Sequence, residues 1–375
     1  MNWKRKTWPL KWGILALCLF ATGCSLTTRQ STLDPKGPVA EMQLELFMVT
    51  VWVTLFIFLV VGGCLLWTVI KYRERSSDRD KPMPKQGHGN PLIEVGLIMG
   101  SIILLVIIAI PTVRGVWYAG NLPGDTASKL GNWYPEKLEK DNEEEFLEIN
   151  AIGYQWWWSF EYPQFGFTTG NEFSIPVGKV VKINLRAADV IHSFWLPKIA
   201  GKVDLIPGRA NWMWIQADTE GLYYGQCAEY CGEAHAYMLF RVQALPPEGF
   251  ADWIEHQKKD APEPTDPAVI EGKNLFLSKT CVQCHKIDGF TAGVGGPNLT
   301  HIASRTSVAA GILDNLDING KIDPDKQYQN LFNWIKESQK YKPGNLMYYP
   351  DNGLKNVELS DDDVHKMVLY LQTLK

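Results

Sequence analysis

Cys227-Ala228-Glu229-Tyr230-Cys231-Gly232-Glu233-Ala234-His235-Ala236-Tyr237-Met238 is the chemically densest stretch of this 375-residue chain. Two thiols stand four residues apart, an imidazole follows four residues on, and a thioether three residues after that. Sulfur ligands combined with imidazole suit copper or zinc. A second imidazole lies upstream, in Asp189-Val190-Ile191-His192-Ser193-Phe194-Trp195. Cys227, Cys231, His235 and His192 would complete a Cys2His2 zinc set. A single blue copper fits less naturally, because it takes one Cys rather than two. Met238 favours copper, since structural zinc has no use for a thioether. Two cysteines bridging two coppers, with one His on each and weak axial ligands, would use every residue in the string. A Cys227–Cys231 disulfide would leave His235 and Met238 without a role.

Around this loop the text is β-like. Apolar and β-branched stretches at 146–158, 173–185, 211–217 and 239–244 are separated by Gly, Pro and Asp. Short strands at such spacing predict a sandwich or small barrel, and roughly 100 residues suit a cupredoxin-like sandwich. Three adjacent tryptophans, Trp156 to Trp158, read as strand, which puts Trp156 and Trp158 on one face. Core packing accounts for at least one of them. Residues 136–148 are acidic and read as a solvated face.

Upstream, Met1-Asn2-Trp3-Lys4-Arg5-Lys6 leads into an apolar run and then Ala21-Thr22-Gly23-Cys24. A basic start, a short apolar core and small residues describe a secretory signal. Small residues followed by Cys resemble a bacterial lipoprotein signal, with Cys24 lipidated after cleavage. An uncleaved short anchor is the plainer alternative. Residues 46–70 then run without a charge, as do 95–113; both can cross ~30 Å of hydrocarbon. The loop between them carries Lys71, Arg73, Arg75, Arg79, Lys81 and Lys85 against Glu74, Asp78 and Asp80. The excess of Lys and Arg places that loop in the cytoplasm and both ends of the hairpin outside. Glu94 stands at the cytoplasmic mouth of the second helix. It reads either as an interfacial Glu favoured by the helix dipole or as a proton entrance, since carboxylates near hydrocarbon are costly unless paired or wet.

Downstream, a short helix is expected over 249–258, and Asp260-Ala-Pro-Glu-Pro-Thr-Asp-Pro267 predicts a stiff extended spacer. An amphipathic helix over 268–278 opens a last domain. Cys281-Val282-Gln283-Cys284-His285 follows, the attachment signature of c-type haem. The two thiols form thioethers and His285 ligates iron. A redox CxxC pair or half of a zinc site are the other readings. Export, domain size and Gly296-Pro297-Asn298-Leu299, which resembles the pattern of class I cytochromes, favour haem. Met347, in Lys342-Pro-Gly-Asn-Leu-Met347, is the expected second axial ligand, and a Met ligand raises the potential. Met367 is the weaker candidate because it sits within a final helix that starts with Ser360 as N-cap and Asp363 three residues on, and runs to about 374. His301 and His365 offer an alternative bis-His pair, but packing or surface roles suit them better.

Composition agrees with this organisation. A hydrophobic share of 46% and a net charge of −4 leave no basic stripe for nucleic acid, and 15 tryptophans exclude a disordered chain. The seven cysteines need no disulfide: Cys18 leaves with the signal, Cys24 takes lipid, Cys64 lies in a membrane helix, and the other four serve the two cofactors. The expected fold is therefore multi-domain: a lipoprotein-type signal at 1–23, a transmembrane α-helical hairpin at 24–118, a cupredoxin-like β-sandwich at 119–245, a linker at 246–267 and an all-α class I cytochrome c domain at 268–375.

The hairpin, Gly153-Tyr-Gln-Trp156-Trp-Trp158-Ser-Phe-Glu-Tyr162, the His192 stretch, Ile206-Pro-Gly-Arg209 and the Cys/His/Met loop together resemble subunit II of haem–copper cytochrome c oxidase, over about residues 40–245. The resemblance implies a binuclear copper centre (CuA) with bridging thiolates from Cys227 and Cys231, terminal ligands His192 and His235, and weak axial ligands Met238 and the Glu229 carbonyl. It implies that the Glu229 side chain reaches a magnesium shared with subunit I. Trp156 matches the position through which electrons pass to copper, and Tyr154 stands where many relatives have His. Glu94 matches a subunit II glutamate at the entrance of a proton channel into subunit I. With the fused haem domain, the chain resembles the caa3-type oxidases of bacterial cell membranes. The implied path runs from cytochrome c or another respiratory reductant to haem c, to CuA, and on to subunit I, which reduces O2 to water with proton translocation. The soluble domains then face the external or periplasmic side, and the partners are subunit I and other oxidase subunits. A membrane-tethered electron carrier and the electron-input subunit of a nitric oxide reductase are the competing functions.

Overall fold

The computed structural model describes residues 27–73, 87, 89–123, 146–348 and 357–375. The signal, Cys18, Cys24, most of the basic loop and most of the acidic run lie outside the described residues.

Two long helices come first. α1 spans Pro38–Lys71 and α2 spans Pro91–Gly120. Each has proline in its first turn, where the missing N–H is no loss. Asn90 caps α2 by accepting from Leu92 N at 3.0 Å. At 1.5 Å per residue they are roughly 50 and 45 Å long, longer than the ~30 Å hydrocarbon layer. Their surplus length is used at one end. There α1 buries Val39 and Ala40, and Ala40 N bonds the Ile199 carbonyl at 3.3 Å. At the same end Tyr118 of α2 packs edge-on against Trp214 at 5.3 Å. The start of α1 and the end of α2 thus both rest on the β-domain. The apolar stretches between are exposed within the chain and long enough to cross a membrane.

The β-domain is two five-stranded sheets. One contains β1 (Leu147–Tyr154), β2 (Trp157–Tyr162), β3 (Phe167–Gly170), β5 (Val181–Ala187) and β8 (Asn211–Ile215), in the order β3-β2-β1-β5-β8. The other contains β4 (Glu172–Pro176), β6 (His192–Trp195), β7 (Lys202–Leu205), β9 (Gly221–Cys227) and β10 (Leu239–Leu245), in the order β4-β10-β9-β6-β7. Parallel pairs β1–β5 and β4–β10 interrupt otherwise antiparallel ladders. The fold is the cupredoxin-like sandwich the sequence predicts. Along β2 burial alternates, with Trp158, Phe160 and Tyr162 facing in. These meet Phe173, Phe194 and Phe240 from the opposite sheet, with Phe194 and Phe240 stacked at 4.4 Å. The Tyr162 hydroxyl, fully buried, donates to Ser174 O at 2.6 Å and accepts from Ser174 N at 3.1 Å, so no polar atom of the ring is orphaned.

One expected strand is divided. β1 ends at Tyr154 and β2 begins at Trp157, with Gln155 and Trp156 in the turn between them. Trp156 therefore does not share a strand face with Trp158. The stretch read as one strand is a hairpin, because its apolar pattern runs unbroken through the turn.

The segment 246–267 is not a free linker. α3 (Pro247–Gln257) lays Trp253 against Tyr162 and Phe167, at 5.3 and 5.6 Å, and so belongs to the sandwich core. The extended run after it is pinned to the next domain by Ala261 N on Asp288 O at 3.1 Å.

That domain is helical. α4 (Pro267–Ser278), α5 (Pro324–Tyr341) and α6 (Asp361–Thr373) surround a core of Phe276, Leu331, Val364 and Tyr370 among others. Ser360 caps α6 with a reciprocal capping box to Asp363. Short strand pairs at Lys286–Ile287 with Thr291–Ala292 and Ser307–Val308 with Leu313–Asp314 fold the loops between α4 and α5. α4 and α6 cross at Gly272, where any Cβ would collide with the Lys366 carbonyl. Gly272→Ala should therefore destabilise this domain by about 1–3 kcal/mol, the range for overpacking a closed contact. Hydrogen exchange at α4 and α6 in the full chain reads it: faster exchange there, with the β-domain unchanged, is expected, and unchanged protection would refute the close-crossing account.

Candidate functional site

The Cys/His/Met loop is closed at its base. Cys227, the last residue of β9, donates its N–H to Met238 O at 2.9 Å, and β10 starts one residue later. β6 pairs with β9 in the register Phe194↔Cys227, which delivers His192 beside the loop from the neighbouring strand. His192 is fully buried. Gly153 on β1 permits this, since a Cβ there would stand 2.9 Å from the His192 ring.

The sulfurs of Cys227 and Cys231 lie 3.8 Å apart, and both thiols are free. Each has its own company. Cys227 Sγ is 3.9 Å from His192 Nδ1 and 3.3 Å from the Glu229 carbonyl. Cys231 Sγ is 3.5 Å from His235 Nδ1 and 3.8 Å from Met238 Sδ. The structure brings all six sequence-selected residues together, but not around one point. His192, Cys227 and Cys231 have ligand atoms mutually within 4.8 Å, and His235 stands off on the Cys231 side. The Glu229 side chain is exposed and accepts from Tyr230 N at 3.2 Å.

Three supporting contacts were not selected from the sequence. Asp189 Oδ1 holds His192 Nε2 at 2.8 Å, which leaves Nδ1 facing the thiol as the bare nitrogen. The Asp-x-x-His spacing carried that signal. The Cys231 carbonyl accepts from Gln155 Nε2 at 2.8 Å and from Trp156 Nε1 at 3.0 Å. Trp156 is thus almost buried against the loop, while Trp157 stacks on Tyr154 at 4.4 Å outside it.

Electrostatics follow from the pair. Cys227 is pulled well below the ordinary thiol range, chiefly by the Cys231 thiol beside it and against burial, with His192 adding. Cys231 is pushed up by the Cys227 thiolate and by burial. The two share a proton because a buried site cannot hold two bare thiolates at this distance. Burial alone would lower the pKa of His192, but Asp189 and Cys227 together raise it. Two thiolates here need a cation, and the donor set of sulfur, imidazole and carbonyl fits a copper-type metal.

The second site lies in the helical domain. Cys281 and Cys284 are free on one short turn, Cys281–Gln283 and its cap. His285 Nδ1 donates to Pro297 O at 2.9 Å, so Nε2 is the nitrogen left for a metal. Burial lowers the pKa of His285, which favours the neutral ring a metal requires. Gly296 is needed because a Cβ would sit 2.8 Å from the His285 ring; the Gly296-Pro297 pair thus positions this histidine. These residues fit a covalently attached haem. Met347 is half-buried in the short turn Leu346–Tyr348. Met367 is buried in the face α6 turns to the core. His301 is bonded to Lys375 O at 2.8 Å and His365 to the Tyr328 hydroxyl at 2.6 Å. Glu94 lies in the first turn of α2, exposed, at the end of the hairpin away from the β-domain.

The fold and these sites define a class: a cupredoxin-like domain on a pair of candidate membrane helices, with a cytochrome c domain fused behind it. Residues 166–245 match the family described as "Cytochrome C oxidase subunit II, periplasmic domain", and residues 269–375 match "Cytochrome c". The chain is 36% identical over 360 residues to cytochrome c oxidase subunit 2 of Alkalihalophilus pseudofirmus, covering 96% of this chain and 95% of that protein. It is 32% identical over 374 residues to cytochrome c oxidase subunit 2 of Bacillus sp. (strain PS3), covering 97% and 96%. Among solved structures, the periplasmic domain of subunit II of cytochrome oxidase (CoxB) of Bradyrhizobium japonicum is 38% identical, covering 31% of this chain and 95% of that one, with a TM-score of 0.30. The chain belongs to the cytochrome c oxidase subunit 2 family, in the form fused to cytochrome c, and is an electron-input subunit of an oxidase.

The shared proton has a measurable consequence. In metal-free protein the ultraviolet thiolate absorbance should persist well below the ordinary thiol value of about 8.5, because the Cys231 thiol and His192 hold the Cys227 thiolate. In Cys231→Ala the band should be lost at much higher pH. A parent titrating near 8.5 would refute the coupled pair.

Proposed function

We propose that the chain receives electrons at a covalent haem c in its C-terminal domain and delivers them from a binuclear copper centre to subunit I of a proton-pumping terminal oxidase. Cys227 and Cys231 would hold both metals through their thiolates, with His192 and His235 as the imidazole ligands and Met238 and the Glu229 carbonyl as weak donors. The Glu229 carboxylate contributes to a magnesium shared with subunit I. Cys281 and Cys284 would attach haem, and His285 and Met347 would hold its iron. Such groups supply one-electron acceptance and donation with little change in geometry.

The observation that carries the copper reading is the two-sided site. A tetrahedral zinc site needs four ligand atoms converging on one centre. Here each sulfur has its own imidazole and its own weak donor, and His235 stands away from the Cys227 side. The chain's residues hold this arrangement in place: Asp189 fixes the His192 tautomer, and Gln155 and Trp156 hold the Cys231 carbonyl. Trp156, whose indole N–H donates to the Cys231 carbonyl, takes the electron-input role.

For the membrane part, the Lys and Arg excess between the two helices supports a cytoplasmic loop, with both soluble domains on the external or periplasmic side and Cys24 lipidated there. Glu94 then sits at the cytoplasmic end of α2, where it admits protons to subunit I.

Detergent purification tests the whole reading. Recovery of an oxygen-consuming complex with a-type haem is expected, and the chain itself should carry two coppers, no zinc and one covalent haem. Isolation of the chain alone, with haem c and copper only, would favour a tethered carrier instead. In the complex, Cys227→Ser should abolish the near-infrared band of mixed-valence dicopper; an intact band would remove Cys227 from the bridge. Glu94→Gln should slow steady-state turnover while leaving the initial reduction of copper normal. Unaltered turnover would leave Glu94 a helix-dipole residue only.

A further inference from the structure

The segment that follows α5 in the cytochrome domain meets the turn that holds the copper loop. Lys342 caps the end of α5, is 3% exposed, and donates from Nζ to the Trp156 carbonyl. It lies on the loop that leads to Met347. Gln339 braces that loop, accepting from Gly344 N at 2.8 Å and donating to Asn345 O at 2.9 Å. Asn345 Nδ2 closes it on Lys342 O at 2.7 Å. Gly344 has φ of 78°, and a Cβ there would lie 2.6 Å from the Glu233 carboxylate. The loop is therefore seated on the Trp156 turn and on Glu233, two residues past Cys231.

A buried ammonium is expensive unless well partnered. Burial lowers the pKa of Lys342 to about 7, although the Cys231 sulfur works against this. A polar surface residue would have closed α5 without that cost. What the lysine does gain is a connection. From Met347 the chain runs five residues back to Lys342, whose Nζ–H meets the Trp156 carbonyl; the Trp156 indole N–H then meets the Cys231 carbonyl at 3.0 Å. Two hydrogen bonds join the proposed haem-ligand loop to a proposed copper ligand.

We infer that Lys342 is a positioning residue: it locks the Met347 loop onto Trp156 and so fixes the geometry for electron transfer between the two domains. The inference rests on the functional reading above. In the step, the reduced haem iron loses one electron and the oxidised copper pair gains it, with no bond made or broken.

Lys342→Met keeps the side-chain stem and removes the donor. Gly344→Asp, facing Glu233, lifts the same loop by a different route. Two measurements on the detergent-solubilised complex test them. The first is hydrogen exchange over residues 155–158 and 339–347. The second is the rate of haem c reoxidation after photoreduction by a ruthenium dye. Leaving the Trp156 carbonyl buried without its donor weakens local docking about tenfold, so both variants should exchange faster in both segments and transfer about tenfold more slowly. The haem spectrum, the near-infrared copper band and the KM for external reductant should not change. Unchanged exchange, or transfer within twofold of the parent, would overturn the assignment. So would loss of the copper band, which would make Lys342 a support of the metal site instead. Should the parent itself show no transfer, the functional reading fails, while the exchange data still decide whether Lys342 locks the loop.

Discussion

Two buried sulfurs 3.8 Å apart set the terms for the rest of the molecule. In so apolar a place one negative charge is tolerated when neighbours share a proton with it, and a second is not. The pair is therefore stable as a half-protonated unit or with a cation, and the surrounding chain is built to favour the cation. Donors approach from both sides rather than one. His192 comes from β6 with its outer nitrogen already held by Asp189, and His235 and Met238 come from the far half of the loop. The loop cannot drift, because its base is closed between β9 and β10. Its Cys231 carbonyl is held by two side chains from the β1–β2 turn.

That rigidity rests on the aromatic core beneath. Trp158 stands between the His192 ring, at 6.1 Å, and Phe240, at 5.3 Å. The imidazole is thereby backed by closely packed rings that leave little room to relax. The same sandwich is held to the helical hairpin by Val39, Ala40 and the Tyr118–Trp214 contact. Each membrane-length helix has more residues than the hydrocarbon requires, and the excess is spent clamping the sheet. The site's height above the hairpin is thus set by packing and not by a tether.

Much of this was legible in the sequence, for reasons that differ by element. The uncharged runs announce α1 and α2 because length alone identifies them. Ser360 with Asp363 marks the start of α6, since a capping box is a local signal. The site residues were readable because sulfur, imidazole and thioether are rare and were clustered. β3, β6, β7 and β9 fall outside the stretches that read as strand. They are four to seven residues long, and β6 and β7 lie in text rich in Asp, Gly and Pro, so tertiary pairing and not propensity makes them strands. α5 was missed because its polar residues dominate, with Gln327 and Ser338 among its buried positions. The Trp156 turn was misread because nothing in Gln-Trp-Trp-Trp marks a reversal. The residues joining the domains carry no local signal at all, because their partners are far away in sequence.

Those joining residues explain how a two-cofactor chain keeps one shape. Glu172 on β4 accepts from Thr306 N at 2.8 Å and from the Thr306 and Ser307 hydroxyls. Arg241 on β10, 2% exposed, donates to Thr306 O at 2.8 Å and pairs with Asp314 at 3.3 Å. Asn298, beside the Pro297 that holds His285, donates to Thr168 O at 3.1 Å. An apolar seam of the same size would bind the domains at least as strongly, because buried ion pairs repay little of their desolvation. It would also tolerate sliding by an ångström or two. A seam of charge-assisted hydrogen bonds does not, since each displaced donor or acceptor would be left buried and unpaired. Stability is thus a weak reason for placing Glu172 and Arg241 here, and orientation is a strong one. A relay between two fixed sites needs a constant separation more than it needs a tight interface, and the polar seam supplies the constant.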